Sequence, residues 1–209
     1  MSNQTHQIDE KTLFIRAAFS PSTLSEEDRT VQVVFGTDKP VPMMIMGERV
    51  SEVLSFQAAH VRLERLNGGA PLLDNHNISG PVMETVLGVV ERAWVDGKNG
   101  FALVRFAKTE KADKVMAQVK DKVIRNVSVG YTVHKYMKKT GRASDLSSTY
   151  FAIDWEPHEI SLVSVPADAD AVIRSFQSVE IEVEADENEE KLNQRGLQLR
   201  ATLALYPNI

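Results

Sequence analysis

The segment TVLGVVERAWVDGKNGFALVRF, residues 85–106, decides the fold, because it contains two alternating apolar runs separated by a turn sequence. Residues 85–95 and 101–106 alternate between apolar and polar side chains, and this period of two is typical of half-buried β-strands. The residues between them, DGKNG at 96–100, favour a tight turn. The segment therefore predicts an antiparallel β-hairpin.

Regular patterns continue on the C-terminal side of this hairpin. Thr109 precedes residues 111–122, whose apolar side chains recur at helical spacing, so we predict an N-capped helix there. The segment NVSVGYTVHKY, residues 126–136, alternates again and is predicted to be a strand. Two further strands are predicted over residues 150–155 and 158–165.

Two strands are also predicted on the N-terminal side, at residues 12–19 and 29–36. The chain thus contains roughly seven or eight short strands and one clear helix, without the alternation of strands and long helices that produces parallel sheets. This pattern predicts a mainly β fold with helices, of the α+β class, in which a helix packs against an antiparallel barrel or sandwich.

The composition excludes several kinds of site. The 209 residues include no cysteine, so disulfides, thiolate zinc sites and cysteine nucleophiles are excluded. The net charge of -5 at pH 7 comes from residues 180–190, which contain seven acidic and no basic side chains. No basic stripe indicates nucleic-acid binding, no apolar run is long enough to span a membrane, and no histidine pair has metal-binding spacing. We therefore expect no nucleic-acid or membrane partner, no metal and no cofactor.

Changes in composition along the chain predict three parts. Residues 1–11 are polar and are predicted to be a disordered leader without the features of a secretory signal, which favours an intracellular protein. Residues 12–174 contain the predicted strands and helix and are predicted to form one folded domain. Residues 175–209 are predicted to be an acidic linker followed by an amphipathic C-terminal helix.

Two residues are candidates for nucleophilic chemistry, His76 and Ser128. His76 follows the apolar pair Leu72 and Leu73, at a position where an imidazole can be held by the core and still reach solvent. Alternation places Ser128 on the same face of its strand as Gly130, which has no side chain and so leaves room for a substrate backbone. A serine hydroxyl is a weak nucleophile unless an adjacent base activates it.

A carboxylate that orients the histidine would complete such a site. Glu159 begins an apolar strand and shares one face of it with Ser161 and Val163. Asp154 and His158 compete with Glu159 for the same role. The residues alone leave this choice open.

Three segments, in this order, resemble the prohead (capsid maturation) protease family of tailed phages: LLDNHN at 72–77, NVSVGY at 126–131 and HEISLVSVPADADA at 158–171. The family pattern is a histidine after a short apolar run, a Ser-Val-Gly-aromatic strand, and a Glu-(Ile/Val)-Ser-Leu-Val strand that ends in Pro-Ala. The resemblance covers about residues 12–174. It implies an antiparallel barrel of about seven strands, similar to that of the herpesvirus assemblins.

The resemblance implies a serine endopeptidase. In it, Ser128 attacks the scissile carbonyl, His76 is the general base, and Glu159 orients the imidazole and stabilises the imidazolium. The assemblins use a second histidine as the third member. His158 therefore stays an alternative to Glu159, as does Asp154.

The resemblance also implies the setting of the reaction. Arg125 and Gly130 become candidates for oxyanion or substrate binding, with the loop 138–149 as a further contributor. The implied substrates are the scaffold or delta-domain and the major capsid protein, cut inside the procapsid in the host cytoplasm. Autoproteolysis, removal of the tail 175–209 and self-association are implied as well. The alternative function is a non-catalytic capsid-assembly or scaffolding protein that retains the protease fold.

Overall fold

The computed structural model of this chain describes residues 5–12, 17–19, 23–45, 48–139, 148–164 and 173–183. The strands within these residues are β1 (Thr5–Thr12), β2 (Ala17–Phe19), β3 (Thr30–Thr37), β4 (Val41–Ile45), β5 (Glu48–Leu54), β6 (Pro71–Asp74), β7 (Val86–Val95), β8 (Asn99–Phe106), β9 (Asn126–Lys139), β10 (Thr149–Val163) and β11 (Ile173–Val183). The helices are α1 (Glu64–Asn67), α2 (Val82–Thr85) and α3 (Glu110–Lys120). The predicted class, mainly β with helices, is confirmed.

The predicted hairpin forms as the antiparallel pair β7–β8. Asp96 Oδ1 holds its turn by accepting hydrogen bonds from the backbone N–H groups of Lys98 at 2.9 Å and Asn99 at 2.7 Å. Gly97 has a φ of +95°, a conformation that residues with a side chain rarely adopt. The residue types of this turn are therefore the ones that its backbone requires.

The predicted helix forms as α3 and begins at the predicted cap. Thr109 Oγ1 accepts a hydrogen bond from the backbone N–H of Ala112 at 3.2 Å, which satisfies one of the free N–H groups at the helix start. The helix buries Ala112 and Val119 against the sheet. It ends just before Lys122, whose φ of 61° is incompatible with a continuing helix.

The core is packed around Trp155, which is fully buried. The rings of Phe56 and Tyr131 meet it edge-on, with centroids 5.3 Å and 5.6 Å away. Burial of a large apolar side chain contributes roughly 1.5–3 kcal/mol to stability. Because Tyr131 lies on β9, this packing fixes which face of β9 points into the core.

One long strand, β10, replaces the two strands that were predicted on either side of Pro157. It pairs antiparallel with β9 over its whole length, and the register shifts between Ala152 and Trp155 and between Pro157 and Glu159. Proline donates no hydrogen bond, and β-strands tolerate it at such irregularities. The proline therefore bends the pairing without ending the strand.

All the described strands belong to one eleven-stranded sheet with the order β1-β11-β9-β2-β3-β8-β7-β6-β10-β5-β4. The sheet is open at β1 and β4, so the prediction of a closed antiparallel barrel of about seven strands is not confirmed. An additional pairing joins β9 to β10, which are the third and ninth strands of this order. The sheet is also mixed, because β10 pairs parallel with β5 and β6, and β11 pairs parallel with β9.

Strands lie at both ends of the described chain, and the predicted division into three parts stays a prediction. Strand β1 occupies residues predicted to be a disordered leader, and it pairs antiparallel with β11. Strand β11 begins at Ile173 and so crosses the predicted domain end at residue 174. Such pairing satisfies backbone N–H and C=O groups and does not require a pattern of apolar side chains. Hydrophobic patterning therefore does not reveal it. The remainder of the predicted linker and C-terminal helix, residues 184–209, lies outside the described residues.

Candidate active site

Strand β10 pairs with β6 on one side and with β9 on the other. It thereby brings the segment that contains His76 and the strand that contains Ser128 to the same level of the sheet. Ser161 of β10 is opposite Leu73 in the pairing with β6 and opposite Ser128 in the pairing with β9. Neighbouring strands are about 4.8 Å apart. The turn that carries His76, shortly after Leu73, and the strand that carries Ser128 therefore flank the same residue of β10.

Four residues of the β9–β10 pair lie on one face. Ser161 is directly opposite Ser128, and Glu159 is directly opposite Gly130. Side chains that are directly opposite each other in an antiparallel pair share a face and interact. The hydroxyl of Ser128 and the carboxylate of Glu159 are therefore presented on the same side of the sheet.

His76 lies in a tight turn after β6 that is hydrogen-bonded to β10. The backbone N–H of Asn75 donates to Leu162 O at 2.8 Å, and the backbone N–H of His76 donates to Ser161 Oγ at 3.1 Å. Asn75 and His76 have φ values of 52° and 55°. This left-handed conformation costs residues with a side chain about 1–2 kcal/mol each. The two hydrogen bonds help to offset that cost, and they fix the main chain from which the imidazole projects.

The imidazole of His76 contacts the carboxylate of Glu159. His76 Nδ1 lies 2.7 Å from Glu159 Oε1, and the two side chains are 13% and 7% exposed. The other carboxylate oxygen, Oε2, accepts a hydrogen bond from Ser161 Oγ at 2.6 Å. When Nδ1–H donates to the carboxylate, Nε2 is the ring nitrogen that can accept a proton. This is the orientation that a general base requires.

Ser128 lies on the same face and is only 1% exposed. Within the described part of the chain, its Oγ has no hydrogen-bond partner. Buried hydroxyls are generally hydrogen-bonded, so the Ser128 hydroxyl departs from the usual pattern. Val127 and Val129 on either side are fully buried in the core and hold the strand in place.

Gly130 provides the space that the carboxylate of Glu159 occupies. A Cβ atom at position 130 would lie 2.5 Å from Glu159 Oε1 and 3.2 Å from Glu159 Cδ. The sequence predicted that the missing side chain leaves room for a substrate backbone. The structure gives this space to Glu159.

The two alternative third members have other partners. Asp154 accepts hydrogen bonds from Arg62 Nε at 2.7 Å and from Arg62 Nη2 at 2.5 Å, in a two-point ion pair at the surface. His158 Nε2 lies 2.9 Å from Thr132 Oγ1, and burial lowers the pKa of His158. The geometry therefore brings Glu159 into contact with His76 and gives the two alternatives different surroundings.

Arg125, the predicted oxyanion candidate, is exposed and lies in the connection between α3 and β9. Its Nε donates a hydrogen bond to Lys122 O at 2.6 Å, which satisfies a carbonyl just beyond the helix. This contact stabilises the connection to β9 and gives no support to an oxyanion role. Of the other predicted contributor, the loop 138–149, residues 140–147 lie outside the described residues.

Comparison with known families identifies the chain. The profile of the family described as Caudovirus prohead serine protease matches residues 43–186, which is more than half of the chain. The chain belongs to this family. The matched range contains all the residues of the candidate site.

Two curated relatives of this prohead protease family member are phage capsid proteins. A major capsid protein of Halomonas phage phiHAP-1 is 37% identical over 119 residues, which are 56% of this chain and 19% of that protein. A capsid polyprotein of Pseudomonas phage PAJU2 is 25% identical over 169 residues, which are 78% of this chain and 22% of that protein. The chain thus spans about a fifth of the length of these relatives. No solved structure matches it.

Two residues that hold the site received no role from the sequence, Ser161 and Lys111. Lys111 Nζ lies 2.7 Å from Asp74 Oδ2 and also donates to Glu84 O, so it ties together the two ends of the segment that contains His76. Alternation along β10 could have indicated Ser161, because it shares a face with Glu159. No sequence pattern pointed to Lys111.

A second buried carboxyl, Glu52, lies inside the core. It accepts hydrogen bonds from the hydroxyl of Tyr131 at 2.7 Å and from the hydroxyl of Tyr136. Burial raises the pKa of Glu52 to about 7, although the two hydrogen bonds act in the opposite direction. Tyr131 lies three positions after Ser128 on β9, so the two side chains point to opposite faces of the strand. The carboxyl of Glu52, which is bonded to Tyr131, therefore lies on the other side of β9 from the candidate nucleophile.

The described residues contain no group of three or more His, Cys, Asp or Glu side chains arranged to hold a metal ion. No helix in the described ranges is long and apolar enough to cross a membrane.

Proposed function

We propose that this chain is a serine endopeptidase that cleaves capsid-assembly proteins during maturation of a phage head. Ser128 is the nucleophile, His76 the general base and Glu159 the carboxylate that orients the imidazole. The observation that carries the proposal is the 2.7 Å contact between His76 Nδ1 and Glu159 Oε1, on the face that also presents Ser128. Membership of the prohead serine protease family supports the same reaction.

The reaction begins when Ser128 Oγ bonds to the scissile carbonyl carbon and its proton moves to His76 Nε2. The C–N bond then breaks, and His76 returns the proton to the leaving amine. Water attacks the resulting ester with the same base and releases the new carboxylic acid and Ser128. Throughout these steps the carboxylate of Glu159 stabilises the imidazolium at Nδ1. Each transfer uses an atom of His76 whose orientation is fixed by Glu159.

The major capsid protein is the proposed substrate, together with the scaffold or delta-domain and the chain itself. The names of the two relatives, a major capsid protein and a capsid polyprotein, support an association with capsid proteins. Cleavage would take place inside the procapsid in the host cytoplasm. We also propose self-association, and removal by autoproteolysis of the tail 175–209, which includes the acidic residues 180–190.

An exposed apolar segment adjoins the site and is the proposed contact for the substrate chain. Ile78, Val82 and Met83 are 70%, 70% and 80% exposed, and they follow His76 in the same loop and in α2. Exposed apolar groups beside a site commonly mark an interaction surface. Because Ser128 is almost completely buried, a peptide reaches it only when neighbouring groups move aside. In this proposal, binding of the substrate chain to the exposed apolar segment precedes that movement.

The second candidate is a non-catalytic capsid-assembly or scaffolding protein that retains the protease fold. Two observations favour it: the two curated relatives are named as capsid proteins, and Ser128 is almost completely buried. The presence of both His76 and Ser128 favours the enzyme, because a chain without turnover has no need to retain them.

The deciding experiment is co-expression with the major capsid protein encoded by the same phage. The unmodified chain should cleave it, whereas Ser128→Ala and His76→Ala should each reduce cleavage about 10⁴-fold or more. Ser55→Ala is the matched control. It also removes a serine hydroxyl in contact with a histidine, His60 Nδ1 at 2.7 Å, but in another part of the fold.

Mass spectrometry of the capsid protein and of the chain itself gives the cleavage sites. Equal processing by all four chains would remove the proposed site. Capsid protein that stays intact with every chain, in normally assembled shells, would favour the non-catalytic alternative. Cleaved capsid protein alongside an intact tail would remove only the autoproteolysis.

A further inference from the structure

Ser161 occupies the centre of the site without being its nucleophile. It is fully buried, and it lies on β10 between Leu73 of β6 and Ser128 of β9. Among the described positions of β10, Ser161 is the one that pairs both with a residue of β6 and with the candidate nucleophile. Its side chain is therefore placed where the elements that carry the reacting groups meet.

The hydroxyl of Ser161 makes a second connection between His76 and Glu159, in addition to their direct contact. It donates to Glu159 Oε2 at 2.6 Å and accepts from the backbone N–H of His76 at 3.1 Å. Together with the contact between His76 Nδ1 and Glu159 Oε1 at 2.7 Å, these hydrogen bonds close a ring. The ring holds the main chain and the imidazole of His76 at the same time.

Both ends of this connection need such support. The backbone of His76 has a φ of 55°, a conformation that persists only when its surroundings hold it. The carboxylate of Glu159 can rotate about its last bond unless both oxygens are engaged, because that torsion has a broad preference. One hydroxyl restrains the backbone and the carboxylate together.

The same contacts argue against Ser161 as the nucleophile. Its proton is directed at Glu159 Oε2, and its oxygen accepts from the main chain of His76. The Ser128 hydroxyl, in contrast, has no partner within the described residues. The two serines thus face each other across the β9–β10 pair in different hydrogen-bonding states.

We propose that Ser161 is a positioning residue for the serine protease reaction, which fixes both the strained turn of His76 and the carboxylate of Glu159. This inference rests on the proposed function. It adds a fourth residue, which acts through His76 and Glu159 and does not touch the substrate.

The test measures the rate at which a fluorophosphonate labels the purified full chain. In this reaction Ser128 Oγ bonds to phosphorus, fluoride leaves, and the serine proton moves to His76, so the rate reports activation without a known substrate. Ser161→Ala should label about 10- to 100-fold more slowly, because a hydrogen bond to a charged group is lost. Ser55→Ala, the matched control, should label at the unmodified rate.

Two further readouts separate positioning from a merely structural role. Thermal unfolding should show that Ser161→Ala is fully folded at the labelling temperature. Proton NMR should show that the downfield Nδ1–H signal of His76, typical of an imidazole bonded to a carboxylate, broadens or moves. Ser161→Thr, which keeps the hydroxyl, should restore labelling more fully than Ser161→Cys, which is a weak donor.

The outcomes separate this inference from the proposed function. Labelling of Ser128→Ala at the unmodified rate would contradict the function itself. A second outcome is that Ser128→Ala loses labelling but a folded Ser161→Ala is labelled at the rate of the unmodified chain. This result would contradict only the positioning role. If Ser161→Ala does not fold, the pair Ser161→Thr and Ser161→Cys decides, and equal labelling rates of these two would contradict the role.

Discussion

His76 Nδ1 and Glu159 Oε1 lie 2.7 Å apart although 83 positions separate the two residues along the chain. The parallel pairing of β6 with β10 creates this contact, because the turn after β6 then ends above the face of β10 that presents Glu159. Most of the imidazole is shielded from water, with an exposed fraction of 13%. The pair is thus produced by tertiary structure, and its strength depends on both strands keeping their register.

Glu159→Gln should impair the reaction much more than changes to the other two candidates for its role. The amide keeps the shape but loses the charge that stabilises the imidazolium, so the rate of fluorophosphonate labelling should fall about 10²- to 10⁴-fold. Asp154→Asn and His158→Gln should keep most of the activity, because these side chains are bonded to Arg62 and Thr132. Fluorophosphonate labelling of the three purified variants checks this prediction. A larger loss in either control would reassign the third member.

The local parts of the fold could be predicted because they depend on neighbouring residues. The alternation over 85–106 and the residue types of its turn produced the hairpin β7–β8, and Thr109 marked the start of α3. The parallel pairings of β10 and the open edges of the sheet could not be predicted. They join segments that are far apart in sequence, and alternation specifies which face is buried but not which strand lies next to it.

The site could be predicted only in part, for the same reason. Alternation presented Ser128 on one face of its strand, but it left Glu159, Asp154 and His158 open as partners of the histidine. The register shift between Pro157 and Glu159 sets what Glu159 faces, and a shift of this kind has no signal in the periodicity. The catalytic roles themselves stay predictions.

Gly130→Ala should abolish the proposed activity although it adds one methyl group outside the reacting residues. The new Cβ would lie 2.5 Å from Glu159 Oε1. The carboxylate can yield only by leaving His76 and Ser161, which hold its two oxygens. Labelling by the fluorophosphonate should therefore slow about as much as in Glu159→Ala.

A double-mutant cycle checks this explanation of the Gly130 effect. In a Glu159→Ala background the clash no longer exists, so Gly130→Ala should reduce the rate little further. Additive losses in the double variant would mean that position 130 acts through something other than Glu159.

Met83→Ser and Ile78→Ser should weaken substrate binding more than the chemical step. Both side chains are largely exposed, so the substitutions should leave stability unchanged. If they pack against the substrate chain, KM should rise roughly tenfold for each with a similar kcat, because apolar burial on binding is lost. Kinetics with a peptide that spans a mapped cleavage site separates the two constants. Glu84→Gln, an exposed polar change in the same segment, is the control, and an equal effect there would contradict the proposed contact.

Glu52→Gln should remove a pH dependence of stability that the buried carboxyl creates. The pKa of Glu52 is raised from 4.5 to about 7 by burial, so the folded protein keeps the proton over a range in which the unfolded chain has lost it. The folded state binds more protons between pH 4.5 and about 7, and its free energy of unfolding therefore falls as the pH rises through this window. The total fall is roughly 3 kcal/mol, since one pKa unit corresponds to about 1.4 kcal/mol.

Urea unfolding at pH 5 and pH 8 measures this effect as a difference between two proteins. Glu52→Gln is neutral at both values, so it should gain roughly 3 kcal/mol relative to the unmodified chain between pH 5 and pH 8. Tyr131→Phe removes one hydrogen bond to the carboxyl but leaves the carboxyl in place, so it should keep the fall in stability. The opposite outcome is a difference in stability between Glu52→Gln and the unmodified chain that does not change with pH. It would mean that Glu52 is ionised in the folded core at pH 5. The two tyrosine hydroxyls would then have to stabilise its charge more strongly than burial opposes it.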